Sequence, residues 1–212
     1  AGTIAPSRWE GAGVLPNAAM KIWFLTSEFS PGMPAGGIAQ YLDNFSRALA
    51  ARGHEITIFS PAAAATDTVL ESGVRWRTIE LPSAERLHAI VSGGNGWSRI
   101  DGPVSGADDA LRRGAMESEQ LAETLGGAAA TSWRMATAVL RQLERESPPD
   151  VIESQEYSGL AYFLLHRKLV DRSPLSRIPI VVHLHTAWLV LGEYEQGATH
   201  LLPDYWTARM EA

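Results

Sequence analysis

The sequence predicts an α/β domain built on a doubly wound, mainly parallel sheet, and three observations predict it. Nearly all-apolar strands recur, as at 21–26 and 178–184, which is the pattern of strands covered by helices on both faces. Helical periodicities alternate with the strands in the order β-α-β, β-α, β-α, β-α, which calls for right-handed crossovers. No internal repeat offers a solenoid instead.

The elements follow in order. Residues 21–26 read as a buried strand. Ile38, Tyr41, Leu42, Phe45 and Leu49 then recur at i, i+3, i+4, i+7 and i+11, one face of a helix. Gly53 sits where a helix C-cap belongs, and Glu55–Phe59 reads as the next strand, ended by Pro61 and an alanine-rich loop. Alternation over 74–81 predicts a strand at the sheet edge. Residues 82–114, rich in glycine, predict a long irregular loop or insertion. A helical pattern covers 117–146, with Trp133, Ala136, Leu140 and Leu143 on one face and Gly126-Gly127 able to kink or divide it. Pro148-Pro149 stops it. A short strand at 150–153 leads to a helix starting near Ser158, and a buried strand at 178–184 leads to His185-Thr186. A last helix begins near Pro203-Asp204.

Composition bounds the function. The 212 residues carry eighteen basic and twenty-four acidic side chains, a net charge of −6, with no basic stripe, so nucleic acid is not expected as a partner. The absence of cysteine excludes thiol catalysis, cysteine-ligated metals and disulfides. No apolar run reaches the length of a membrane-spanning helix. Residues 1–19 show no periodicity and no signal-peptide core, so they are expected to be a flexible leader before a domain at 20–212.

In a doubly wound sheet, ligands bind beyond the carboxyl ends of the strands, where strand order reverses. The strands at 21–26, 150–153 and 178–184 would end at one crevice. Their following loops bring Glu28 and Gly36-Gly37, Glu156-Tyr157, and His185-Thr186. Paired glycines before a helix admit close backbone approach, and the positive helix end favours a phosphate.

Each element also has a plainer reading. Gly36-Gly37 can be a tight turn into the helix, since the spacing is not G-x-G-x-x-G. His185 can be a structural histidine, although its place at a strand end favours the site. His183 is expected on the opposite side of the strand, in a structural role. Glu153 reads as a solvated or hydrogen-bonded carboxylate, and Arg52-Gly53-His54-Glu55 as a cap. His88, His166 and His200 lack ligand spacing, so no metal site is predicted. Trp97 and Trp188 can stack on a sugar ring or fill core.

These motifs together resemble a known family. Thr26-Ser27-Glu28, Pro31, Gly36-Gly37 and the run Arg47–Ile58 are similar to the amino terminus of glycosyltransferase family 4 and the related glycogen and starch synthases. Pro149–Gly159 resembles that family's fourth-strand segment, in the variant with glutamate (Glu156) where others have histidine. Val181–Thr186 resembles its fifth-strand segment, whose histidine lies in the active site.

The resemblance implies a Rossmann-like N-terminal domain of a two-domain GT-B enzyme. Such enzymes transfer a sugar from a nucleotide-sugar donor to a sugar or lipid-linked acceptor, usually with retention and without a required metal. No cofactor is implied beyond the donor substrate. By position, Gly36 and Gly37 would face the donor diphosphate and His185 the transferred sugar. Glu28, Glu156, Tyr157 and Thr186 would serve the acceptor side. The synthases carry lysine two residues before the paired glycines, where this chain has Pro34, so a glycogen-type donor is not implied. The family's C-terminal domain, with its paired glutamates, is absent from these residues, and the chain reads as a fragment ending inside a helix. A cytoplasmic enzyme is expected, with peripheral membrane contact left open. The competing expectation, from another class, is a free-standing ligand-binding or regulatory module without catalysis.

Overall fold

A computed structural model describes residues 18–31, 36–80, 127–170, 174–185 and 209–210. Residues 1–17 of the leader expected at 1–19, the irregular stretch 82–114 and the start of the 117–146 helix lie outside these, as do Pro34, Trp97, Thr186 and Trp188. The described strands form a six-stranded sheet in the order β3-β4-β2-β1-β5-β6. These are β1 Lys21–Leu25, β2 Glu55–Ala62, β3 Thr66–Val69, β4 Arg75–Glu80, β5 Val151–Gln155 and β6 Ile180–His183. Every pairing is parallel except β3 on β4. The α/β class expected from the sequence is the class observed.

Helices cover both faces, and strand alternation decides which residue faces which layer. Ile22 and Phe24 join Ile56, Ile58 and Val74 beneath helix α1, Gly37–Ala50, which supplies Leu42 and the flanking Tyr41, Phe45 and Leu49. Trp23 and Leu25 join Phe59 and Ile152 on the other face. There they meet Met135 and Val139 of α2, Gly127–Leu143, and Leu164 of α3, Tyr162–Val170. A strand packed on both sides has no polar position to spare, which is why β1 reads as a continuous apolar run. Burying each such side chain contributes about 1.5–3 kcal/mol.

Several boundaries differ from expectation. β2 runs on through Pro61 to Ala62, because β1 pairing ends at Leu25↔Phe59 and Pro61 faces only β4. β4 is not the edge strand, since β3 pairs outside it. β6 is not buried: Val181 is 48% and Val182 36% exposed, and β5 is its only described neighbour. α2 ends at Leu143, before 146. After β5 a 3-10 turn, Tyr157–Gly159, holds Ser158 at φ 60° and Gly159 at φ 59°, which delays α3 to Tyr162. The cap at Gly53 is as read, with φ 87° and its N–H donating to the Ala50 carbonyl at 2.9 Å. Arg209 and Met210 are helical, while the expected start of the last helix near Pro203-Asp204 lies outside the described residues.

Candidate functional site

Strand order reverses around β1, which has β2 on one side and β5 on the other. The chain leaving β1 is tied to the end of β5 at this point. The buried Thr26 hydroxyl donates to Gln155 Oε1 at 2.8 Å and accepts from the Glu28 N–H at 3.0 Å. Glu28 is thereby turned towards the start of α1. Its Oε2 lies 3.2 Å from the point a Cβ on Gly36 would occupy, while Gly37 has nothing within 4 Å of that point. Gly36 holds φ 95° and ψ 167°, and α1 has neither a side-chain cap nor an acidic residue in its first turn. Among the described residues its first N–H groups have no side-chain acceptor, and donors of this kind can hold an anion, here beside the Glu28 carboxylate.

Past β5, Glu156 is 2% exposed. Its Oε1 accepts from the His185 backbone N–H at 2.6 Å, and its own N–H donates to the His183 carbonyl at 3.2 Å. The carboxylate therefore fixes the chain where it leaves β6. Glu156 Oε2 and His185 Nε2 are both buried and without a hydrogen-bond partner among the described residues. Burying such atoms without a partner is costly, so each calls for one beyond the described residues. Tyr157 follows, half-buried in the 3-10 turn.

His183 stands on the same side of β6 as His185, not the opposite one, because residues two apart on a strand share a face. The two imidazoles stack with centroids 4.4 Å apart and planes within 9°. Tyr41, in the second turn of α1, meets both edge-on, at 4.9 Å from His183 and 5.4 Å from His185. Glu153 joins the group, since its Oε1 accepts from the Tyr41 hydroxyl at 3.3 Å and lies 3.2 Å from His183 Nδ1. Burial, then the Glu153 charge and its hydrogen bond, push the Tyr41 phenol up to about 12.

The structure thus brings Glu28 beside Gly36 and Glu156 beside His185, and Tyr41 links the helix start to the histidines. Sequence reasoning missed Thr26, Tyr41, Glu153, Gln155 and His183 as members of this site. The alternation of β6 was the one signal that could have placed His183 correctly. Among the described residues no group of three His, Asp or Glu side chains is arranged to hold a metal ion.

In α/β domains of this topology ligands bind at the switch point, and the start of α1, the buried Glu156 carboxylate and the stacked His183 and His185 rings lie at that end of the sheet. Residues 36–210 match the Glycosyl transferase 4-like domain, and the chain belongs to that family. No curated protein sequence matches it significantly. Among solved structures it is similar to the catalytic domain of starch synthase IV from Arabidopsis thaliana bound to ADP and acarbose. That likeness is at 13% identity and a TM-score of 0.48, over 82% of this chain and 37% of the other. The chain thus spans well under half of that relative's length.

Proposed function

We propose that this chain is the acceptor-side domain of a glycosyltransferase that moves a sugar from a nucleotide-sugar donor to a sugar or lipid-linked acceptor, with retention of configuration. Family membership supports the reaction class. The observation that carries the site is the pair of buried polar atoms, Glu156 Oε2 and His185 Nε2, that have no partner among the described residues and lie beyond the carboxyl ends of β5 and β6. Sugar hydroxyls both donate and accept, so they suit an imidazole nitrogen and a carboxylate oxygen alike. In this reading His185 hydrogen-bonds the transferred sugar and supports charge developing at the reacting carbon. The Gly36 and Gly37 N–H groups face the donor diphosphate from the start of α1. Glu28, Glu156, Tyr157 and Thr186 serve the acceptor side. A second domain carries the nucleotide, no metal is required, and the setting is cytoplasmic, with peripheral contact to a membrane where the acceptor is lipid-linked.

The test is nucleotide-sugar turnover by the complete protein, by its His185→Ala variant and by the isolated 212-residue chain. The variant is expected to lose on the order of 100-fold in rate with its fold intact, as when one preorganised donor is removed. The isolated chain is expected to be inactive. Near-normal turnover by the variant returns His185 to a structural role. Transfer by the isolated chain removes the two-domain account, and binding without any turnover by the complete protein favours the non-catalytic module.

A further inference from the structure

We propose that Tyr41, Glu153 and His183 are positioning residues that hold the His185 imidazole in its working orientation, an inference that rests on the transferase reading above. The ring of His185 makes no hydrogen bond among the described residues; only its backbone N–H is tied, to Glu156. Among the described residues, its ring is held by the rings around it. His183 lies flat against it and Tyr41 stands edge-on to both.

Those two rings are themselves tethered at one atom. Glu153 Oε1 is within hydrogen-bond reach of both the Tyr41 hydroxyl and His183 Nδ1. A carboxylate only accepts, so Tyr41 donates its O–H and His183 carries a proton on Nδ1. Glu153 is held in turn by the sheet, where its backbone pairs with Phe24 of β1 and Val181 of β6. The path from rigid strand to reactive ring thus runs from Glu153 through Tyr41 and His183 to His185. It joins β5, β6 and α1 at the crevice. Among the described residues the cluster satisfies Glu153 Oε1 but leaves His185 Nε2 without a partner, which in the transferase reading is the atom that meets the sugar.

The experiment pairs Glu153→Leu, which removes the acceptor, with Glu153→Gln, whose amide oxygen still accepts. Ring shifts of His185 and the His183 tautomer are read by NMR, and kcat and KM by turnover, all in the complete protein. Glu153→Leu is expected to shift the His185 ring resonances, abolish the Nδ1–H signature of His183, and lower kcat by about 10- to 100-fold with donor KM little changed, as a misplaced reacting group does. Glu153→Gln is expected to recover most of each readout. Unchanged His185 shifts in a folded Glu153→Leu protein overturn the proposal, and so does an unaltered kcat alongside shifted rings. Should Glu153→Leu not fold, Tyr41→Phe and His183→Phe keep the rings and remove one tether each, with the same two outcomes. If the complete wild-type protein transfers no sugar, the transferase reading fails, while the ring shifts still decide whether Glu153 orients His185.

Discussion

Arg77 and Glu146 grip each other across the sheet and the segment after α2, with Nη1 2.8 Å from Oε1 and Nη2 3.2 Å from Oε2. The same guanidinium reaches Asp67 of β3 through Nε at 3.1 Å, and Arg75 binds Asp67 as well. One arginine therefore fastens an edge strand, an inner strand and the chain leading into β5. Planar, forked donors suit this task in a way that a lysine would not.

This network predicts acid sensitivity. Hydrogen bonding from Arg75 holds Asp67 below its usual range, against a smaller opposing effect of burial, with Arg77 adding to it. Burial pushes Glu146 up, but the hydrogen bonds and charge of Arg77 outweigh it and hold this carboxyl low as well. Carboxyls depressed in the folded state stabilise it fully above their unfolded values, about 4, and that contribution disappears as pH falls through the lower folded values. Melting temperature should therefore drop on acidification below about pH 4. Arg77→Met should flatten the drop, and an equally steep profile in that variant would remove the network as its source.

Tyr41 gives the opposite sign. Its phenol is pushed up to about 12, first by burial and then by Glu153. A raised phenol favours the neutral form in the folded state. Its contribution is complete below the ordinary value of about 10 and is lost as pH rises through the folded value. Titration by phenolate absorbance, with Tyr41→Phe subtracted, should show one late-ionising tyrosine. Glu153→Gln should bring it partway back, and no change in that variant would break the contact with Glu153.

The paired glycines should behave unequally. Gly36 holds φ 95° and ψ 167°, a conformation that L side chains rarely adopt, and a Cβ there would crowd Glu28 Oε2 at 3.2 Å. Gly36→Ala is expected to destabilise by about 1–3 kcal/mol. Gly37 is helical with open space around it, so Gly37→Ala is expected to be neutral or to stabilise by up to about 1 kcal/mol. Denaturant titration separates them, and equal effects would contradict the loop geometry.

The sheet's inner strands were legible because burial on both faces leaves an apolar run, as in Ile22–Leu25. β3 was not, because Thr66–Val69 is short and exposed along its length and gains its place only by pairing with β4. The outer flank of β6 was also invisible, since Ile180–His183 looks apolar whether or not a neighbour covers it. At the candidate site, loop positions after strands singled out Glu28, Gly36, Glu156 and His185, and the fold places them at one end of the sheet. Tyr41 was read only as part of an apolar helix face, and nothing local tells that its hydroxyl reaches Glu153, 112 residues away. Long-range tethers of this kind are written in the packing of α1 on the sheet, not in any spacing.

The turn that carries Tyr157 out of the crevice offers a last, sharper comparison. Gly159 holds φ 59°, and a Cβ on it would sit 2.5 Å from Met210 Cβ and 3.2 Å from the Met210 carbonyl carbon. Two separate penalties meet there. A left-handed L-residue costs roughly 1–2 kcal/mol, and forcing a methyl into a packed contact adds about 1–3 kcal/mol. Gly53 has the first penalty without the second, with φ 87° and nothing within 4 Å. Gly159→Ala should therefore destabilise more than Gly53→Ala, by about the size of the packing term. Because the opposing atoms include backbone, side-chain rotation of Met210 cannot relieve the contact. The helical segment at Arg209–Met210 should instead part from the turn, raising amide exchange at Met210 in Gly159→Ala while leaving it unchanged in Gly53→Ala. Denaturant titration and hydrogen exchange on both variants decide it, and equal losses with equal exchange would mean that Met210 does not pack on this turn.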